Sequence, residues 1–181
     1  MTRYTERNDA ARADFEQQIV NYERPELVWV DECGLNKDLY RPYGRCPRSQ
    51  RLYDDISGKR FAPRLSMIAA YCNGHLSAPF RFEGYTDTSV FNLWLETFLI
   101  PSLTPGQVVI MDNATFHKSS NTRDLIEGAG CRLLFLPPYS PDLNKIEHQW
   151  AILKQGVRAN LNSDLSLLQK LDHQLISMSR C

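Results

Sequence analysis

Three carboxylates stand where apolar runs end or where a helix begins. Asp31 follows Leu27-Val28-Trp29-Val30, Asp112 follows Val108-Val109-Ile110-Met111, and Glu147 opens a helical pattern after the stretch 137–144. Residues 113–146, 34 in all, separate Asp112 from Glu147. Acids at strand ends suit hard divalent cations, because the backbone there is rigid and the carboxyl edge of the strand opens to solvent. Three such ligands cannot fill two octahedral shells, so Mg²⁺ (or Mn²⁺) would keep waters and take substrate phosphate oxygens. A pair of ions would activate a water or a 3′-hydroxyl on one side of a phosphodiester and stabilise the leaving oxygen on the other. The pattern points to phosphoryl transfer on nucleic acid, with neither a covalent protein intermediate nor a catalytic serine.

Each acid also has a plainer reading. Asp31-Glu32 could be surface charge, and Asp112-Asn113 could be a turn. Asn144-Lys145-Ile146-Glu147 fits a helix N-cap followed by an acid, a relative of the capping box. Glu32 and Asp142 lie close enough in sequence to replace a neighbour. His117, five residues beyond Asp112, could contact a phosphate, position a water or cap a turn. Lys118 and Lys154 could neutralise backbone phosphates. Trp150, one helical turn after Glu147, reads as core.

The charge is informative by its distribution. Net charge is zero over 181 residues. Residues 37–64, however, carry eight cations (Lys37, Arg41, Arg45, Arg48, Arg51, Lys59, Arg60, Arg64) against three anions. Tyr40, Tyr43, Tyr53 and Phe61 are interleaved. A basic, aromatic stretch of this kind can follow a phosphate backbone and stack on exposed bases. No apolar run is long enough to span a membrane. The polar start Met1-Thr2-Arg3-Tyr4 lacks the apolar centre of a signal peptide, so a cytosolic location is expected. The five cysteines have no metal-ligand spacing and read as free thiols.

The elements that must position the acids follow from pattern. Residues 1–24 form a helical lead-in, with Ala11, Phe15, Ile19 and Val20 on one face. Leu27–Val30 is a buried strand, and 34–62 is a long loop or irregular hairpin. Two strand-like runs, 65–72 and 75–82, flank Asn73-Gly74, a strong hairpin signal. Thr86-Asp87-Thr88-Ser89 offers caps for a helix that Pro101 stops. A strand over 107–111, a short helix capped at 119–121, a strand over 132–136, a helix from Ile146 to about Val157 and a last helix with Leu165, Leu168, Leu171, Leu175 and Ile176 complete the order. A hairpin followed by βαβ crossovers predicts an α/β fold with a mixed sheet, the ribonuclease-H-like layout. The last helix either pairs two protomers or closes the domain's own core.

The segments 28–34, 109–118 and 136–150 together resemble the DDE transposases of the mariner superfamily, most closely the bacterial insertion-sequence 630 type. The resemblance covers roughly residues 25–160, framed by the lead-in 1–24 and a C-terminal helix in 161–181. It implies that Asp31, Asp112 and Glu147 are a catalytic and metal-binding triad for two Mg²⁺ or Mn²⁺ ions. The implied activity is cleavage at transposon ends and strand transfer into target duplex DNA by a homodimer in the bacterial cytosol or nucleoid. Lys37, Arg41, Arg45, Arg48, Arg51, His117, Lys118 and Lys154 are the expected DNA contacts. Two features depart from the family. Lysine stands at 145 where proline is usual, and lysine also fits a first helical position. About 25 residues precede the first strand, too few for the family's helix-turn-helix domains. The expectation is therefore a catalytic domain partnered by a separate helix-turn-helix polypeptide from an upstream frame. The rival expectations are a remnant that binds DNA without catalysis, and a stand-alone metal-dependent nuclease.

Overall fold

The computed structural model describes residues 7–35, 45–51, 53, 64–161 and 163–179. Lys37, Arg41, Lys59 and Arg60, with Tyr40, Tyr43 and Phe61, lie outside them. The order is α1 (Asp9–Ile19), β1 (Leu27–Leu35), β2 (Leu65–Cys72), β3 (His75–Glu83), α2 (Thr88–Trp94), β4 (Val108–Met111), α3 (Ser120–Gly128), β5 (Arg132–Phe135), α4 (Ile146–Ala159) and α5 (Leu167–Ser179). The strands form one sheet ordered β3-β2-β1-β4-β5. β1–β2 and β2–β3 are antiparallel, while β1–β4 and β4–β5 are parallel. This is the expected mixed sheet.

Local chemistry sets most boundaries. Asn73 and Gly74 both take positive φ, 47° and 94°, the geometry of a two-residue hairpin turn whose twist matches its strands. Asp87 caps α2 by accepting from the Val90 amide, and Ser119 caps α3 by accepting from the Thr122 amide. After α2 the chain loosens into a π-helical turn over Leu95–Leu99 and tightens into a 3-10 turn, Ile100–Ser102, that holds Pro101. Proline has no amide to continue the helical ladder.

Helices cover both faces of the sheet. On one face, Phe15 of α1, Ile146, Trp150, Leu153 and Val157 of α4 and Leu171 of α5 pack on Trp29, Cys33, Leu35, Met67 and Ile110. On the other, Phe91 and Trp94 of α2, Leu95 and Leu99 of the π-helical turn and Ile126 of α3 pack on Val28, Val30, Ile68, Val109 and Met111. The two sets alternate along β1 and β4, as the twofold period of a strand requires. α5 thus turns Leu171 into the domain's own core and leaves Ile176 half exposed.

Three local expectations need correction. β1 does not stop at Asp31. It runs to Leu35, because β2 stays paired through Leu35↔Leu65. Pairing with β4, in contrast, ends at Trp29↔Ile110, so Asp31 lies where the edge facing β4 opens. In α1, Val20 is exposed and Arg12 is buried instead. Finally, α4 has no side-chain N-cap. Lys145 sits at the cap position in helical conformation, and the Glu147 amide bonds to the Asn144 carbonyl at 3.3 Å. Cys33, Cys46, Cys72 and Cys131 are free thiols. Among the described residues, no helix is long and apolar enough to cross a membrane.

Candidate active site

A cavity of about 550 Å³ opens at the carboxyl edge of the sheet, lined by Asp31, Asp112 and Glu147 together with Asn113, Asn144 and the 136–141 turn. Asp31 reaches it from β1, Asp112 from the residue after β4, and Glu147 from the first turn of α4. β1 and β4 are neighbours and parallel, so their carboxyl ends bring the two aspartates to one edge. The two acids follow the strand alternation of Trp29 and Ile110, onto the face that α4 covers.

Asp31 is the most perturbed acid. Burial, reinforced by the charges of Glu32, Glu147 and Asp112, pushes its carboxyl up to about 7. Two donors oppose that rise: the Trp150 indole Nε1–H bonds to Asp31 Oδ2 at 3.1 Å, and the Glu32 backbone amide also bonds to the carboxyl. Trp150 is therefore both core and a contact of the acid, which its sequence context did not reveal.

Asp112 is held differently. Its Oδ1 accepts from the Ala114 amide at 2.8 Å, the expected turn, and from His117 Nδ1 at 2.7 Å. The other ring nitrogen, Nε2, lies 2.9 Å from Glu32 Oε1. The His117 side chain has 0% exposure and packs against Phe91 and Phe116 with ring centroids 4.4 and 4.5 Å away. Burial pulls its pKa down, but the two carboxylates outweigh that and raise it to about 9, so it is an imidazolium donating from both nitrogens. In turn, burial raises Asp112, while His117 and the Ala114 amide hold it below the ordinary carboxylate value. The His117 ring, expected among the DNA contacts, is thus enclosed by two carboxylates and two aromatic rings. Glu32 and Asp142, the two substitute acids, do not line the cavity. Glu32 faces the opposite side of β1 and pairs with His117, whereas Asp142 receives a bidentate bond from Arg12 at 2.9 and 2.7 Å.

The remaining expected contacts are scattered. Arg45, Arg48, Arg51 and Lys118 are exposed. Lys154 is half-buried beside the Cys33 thiol; burial raises that thiol and the ammonium opposes the rise. Arg64 lies 5.2 Å over the Tyr85 ring. Asn113 Nδ2 donates to the Leu136 carbonyl and ties the end of β4 to the end of β5.

Among the described residues, no three acids, histidines or cysteines form a tight metal cage. The donor set nonetheless suits a hard cation of the Mg²⁺ type. Such ions bind through one or two carboxylates, with waters and phosphate oxygens filling an open site. Three carboxylates and the amide of Asn144 around one cavity supply only oxygen ligands of that kind.

Comparison with known proteins gives the family and the fold of the chain. A family model described as DDE superfamily endonuclease matches residues 26–169. Transposable element Tcb1 transposase of Caenorhabditis briggsae is 26% identical over 181 residues, covering 90% of this chain and 66% of its own length. Transposable element Tc3 transposase of Caenorhabditis elegans is 50% identical over 48 residues, 26% of this chain and 15% of its own length. The chain thus spans two thirds or less of the curated relatives it matches. The Mos1 transposase paired-end complex with left transposon end matches with a TM-score of 0.69 at 14% identity, covering 99% of this chain and 66% of that one. Mos1 paired-end complexes with Mn and with Mg match at 0.63 and 0.62, over 100% and 99% of this chain and 64% and 66% of theirs, at 14% and 15% identity. At such identities the likeness is one of fold, and the fold is ribonuclease-H-like. The relatives fall in the mariner superfamily without singling out its insertion-sequence 630 branch. A family model over most of its length, on a matching fold, makes this chain a member of the DDE superfamily endonucleases.

Proposed function

We propose that the domain cleaves duplex DNA and joins a 3′-hydroxyl end to a second duplex, using Asp31, Asp112 and Glu147 as a divalent-metal-binding triad. The observation that carries this reading is the convergence of the three acids on one open cavity from β1, β4 and α4. Bound there, a divalent cation would supply Lewis-acid polarisation of the phosphodiester and a lowered pKa for the attacking hydroxyl. The chain's own residues orient and tune the oxygens. Trp150 holds one Asp31 oxygen, His117 braced by Glu32 holds one Asp112 oxygen, and Glu147 projects from a helix that the core clamps through Ile146 and Trp150. Exposed Arg45, Arg48, Arg51 and Lys118 would meet the phosphate backbone. By the same reading, two protomers pair two DNA ends, as cyclic assemblies of two-fold DNA sites do. The domain would act in the cytosol or nucleoid.

The test is nicking of an end-labelled duplex in Mg²⁺ or Mn²⁺, followed by joining of a pre-nicked 3′-hydroxyl strand to a target plasmid. The wild type should do both, and Asp112→Asn should do neither while keeping its melting temperature within a few degrees. Full activity in Asp112→Asn would sink the assignment. Nicking without joining would point to a nuclease, and metal-independent binding without nicking to a DNA-binding remnant.

A further inference from the structure

Among the described residues, Asn144 Oδ1 is a buried acceptor at the cleft with no hydrogen-bond partner. The residue is 6% exposed and lines the same cavity as the three acids. An unpaired buried acceptor is destabilising, because it forfeits its bond to water without gaining another. A leucine of similar size would avoid that cost. The position follows the 3-10 turn Pro141–Leu143 and precedes α4, with the Asn144 amide bonded to the Pro141 carbonyl at 2.9 Å and the Asn144 carbonyl taken by the Glu147 amide. The backbone is therefore satisfied and fixed, and Oδ1 is left over.

The chemistry of the orphan narrows its ligand. A carbonyl oxygen repels a phosphate oxygen and attracts a cation or an O–H donor. The cleft already gathers carboxylates, and the charges of Glu32, Glu147 and Asp112 all press on Asp31. A neutral fourth oxygen adds coordination without adding to that repulsion. Carbonyl oxygens of this type are ordinary ligands or water-acceptors for hard divalent cations. We propose that Asn144 Oδ1 is a fourth oxygen contact of the divalent cation, made directly or through one water of the cation's hydration. The inference rests on the triad reading above and adds a residue to it.

The experiment is Mn²⁺ titration of the full chain without DNA, following free Mn²⁺ by electron paramagnetic resonance, alongside melting curves in EDTA. Asn144→Leu should bind Mn²⁺ about 10-fold or more weakly, the range seen when outer contacts of a metal site are removed. Its metal-free melting temperature should equal or exceed that of the wild type, because the orphaned acceptor is gone. Asn144→Asp keeps the shape and an oxygen at the same place, so it should bind Mn²⁺ at least as tightly as the wild type. Wild-type affinity in Asn144→Leu would overturn the proposal. Should that variant unfold, Asn144→Asp decides: retained or tighter binding supports the contact, and weaker binding overturns it. Asp31→Asn separates the two readings. If it abolishes Mn²⁺ binding while Asn144→Leu does not weaken it, only the Asn144 contact fails. If the wild type binds no Mn²⁺, or Asp31→Asn binds normally, the triad reading and the Asn144 contact fail together.

Discussion

The indole Nε1–H of Trp150 reaches Asp31 Oδ2 across 3.1 Å, bridging residues 119 positions apart. A carboxylate largely removed from water is thus held by a side chain that is itself 2% exposed. Trp150→Phe removes that donor while keeping an aromatic ring in the core. Hydrogen bonds to charged groups contribute about 1.5–3 kcal/mol, so the Asp31 carboxyl should rise by about one pH unit or more. The acid limb of the nicking–pH profile in Mg²⁺ should move to higher pH by a similar amount. An unmoved acid limb would show that Trp150 serves packing alone.

The metal-free protein should lose stability toward alkaline pH. The Asp31 carboxyl stands at about 7 in the fold against an ordinary 3.8, so its contribution is complete below 3.8 and lost as pH rises through about 7. His117 has the same sign, with a contribution complete below 6.5 and lost as pH rises through about 9. Asp112 has the opposite sign: its depressed pKa stabilises above 3.8 and is lost in stronger acid. Melting temperature in EDTA should therefore fall from pH 6 to pH 9. Asp31→Asn should melt higher than the wild type at pH 8 and show a shallower fall. A flat wild-type profile would contradict both shifts.

Arg12 on α1 and Asp142 in the turn before α4 form a bidentate pair, with side-chain exposures of 8% and 49%. The pair ties the first helix to the turn that carries Asn144 and leads to Glu147. A double-mutant cycle of Arg12→Ala and Asp142→Ala should give a coupling of about 1–2 kcal/mol. Arg12→Ala alone should cost more than Asp142→Ala, since it also empties buried space. Zero coupling would mean that the turn is held by its prolines.

Arg45, Arg48 and Arg51 are exposed. If they contact phosphates, changing all three to Ala should reduce the slope of log affinity against log salt by about 2.7. An unchanged slope would place the DNA elsewhere.

Much of the fold was legible because it is written in local chemistry. Asn73-Gly74 announces its hairpin, Asp87 and Ser119 announce their helices, and the apolar runs 27–30 and 108–111 announce buried parallel strands. Asp31 and Asp112 were legible for the same reason, standing at the ends of such runs, and Glu147 was legible at the start of a helical pattern. What escaped depends on distant partners. The strand pattern breaks at Asp31-Glu32, yet β1 continues because β2 lies alongside it. His117 reads as a phosphate contact, a water-positioning group or a turn cap, and its enclosure depends on Glu32, 85 positions away, and on Phe91. Arg12 violates the apolar periodicity of α1 because its counter-ion is 130 residues further on.

Asp31 and Glu32 are consecutive yet serve opposite sides of the sheet, one turned to the cleft and the other to His117. Sliding β1 by one position against β2 would exchange them. A carboxylate would still face the cleft, but Asp31 would take the seat under His117 with a shorter side chain, and every apolar neighbour from Val28 to Leu35 would change sides. Deleting or inserting a single residue between Trp29 and Cys33 should therefore be far more damaging than exchanging the two acids in place. The strand works as a ratchet with a pitch of two residues, and the position of the chemistry is set by its click.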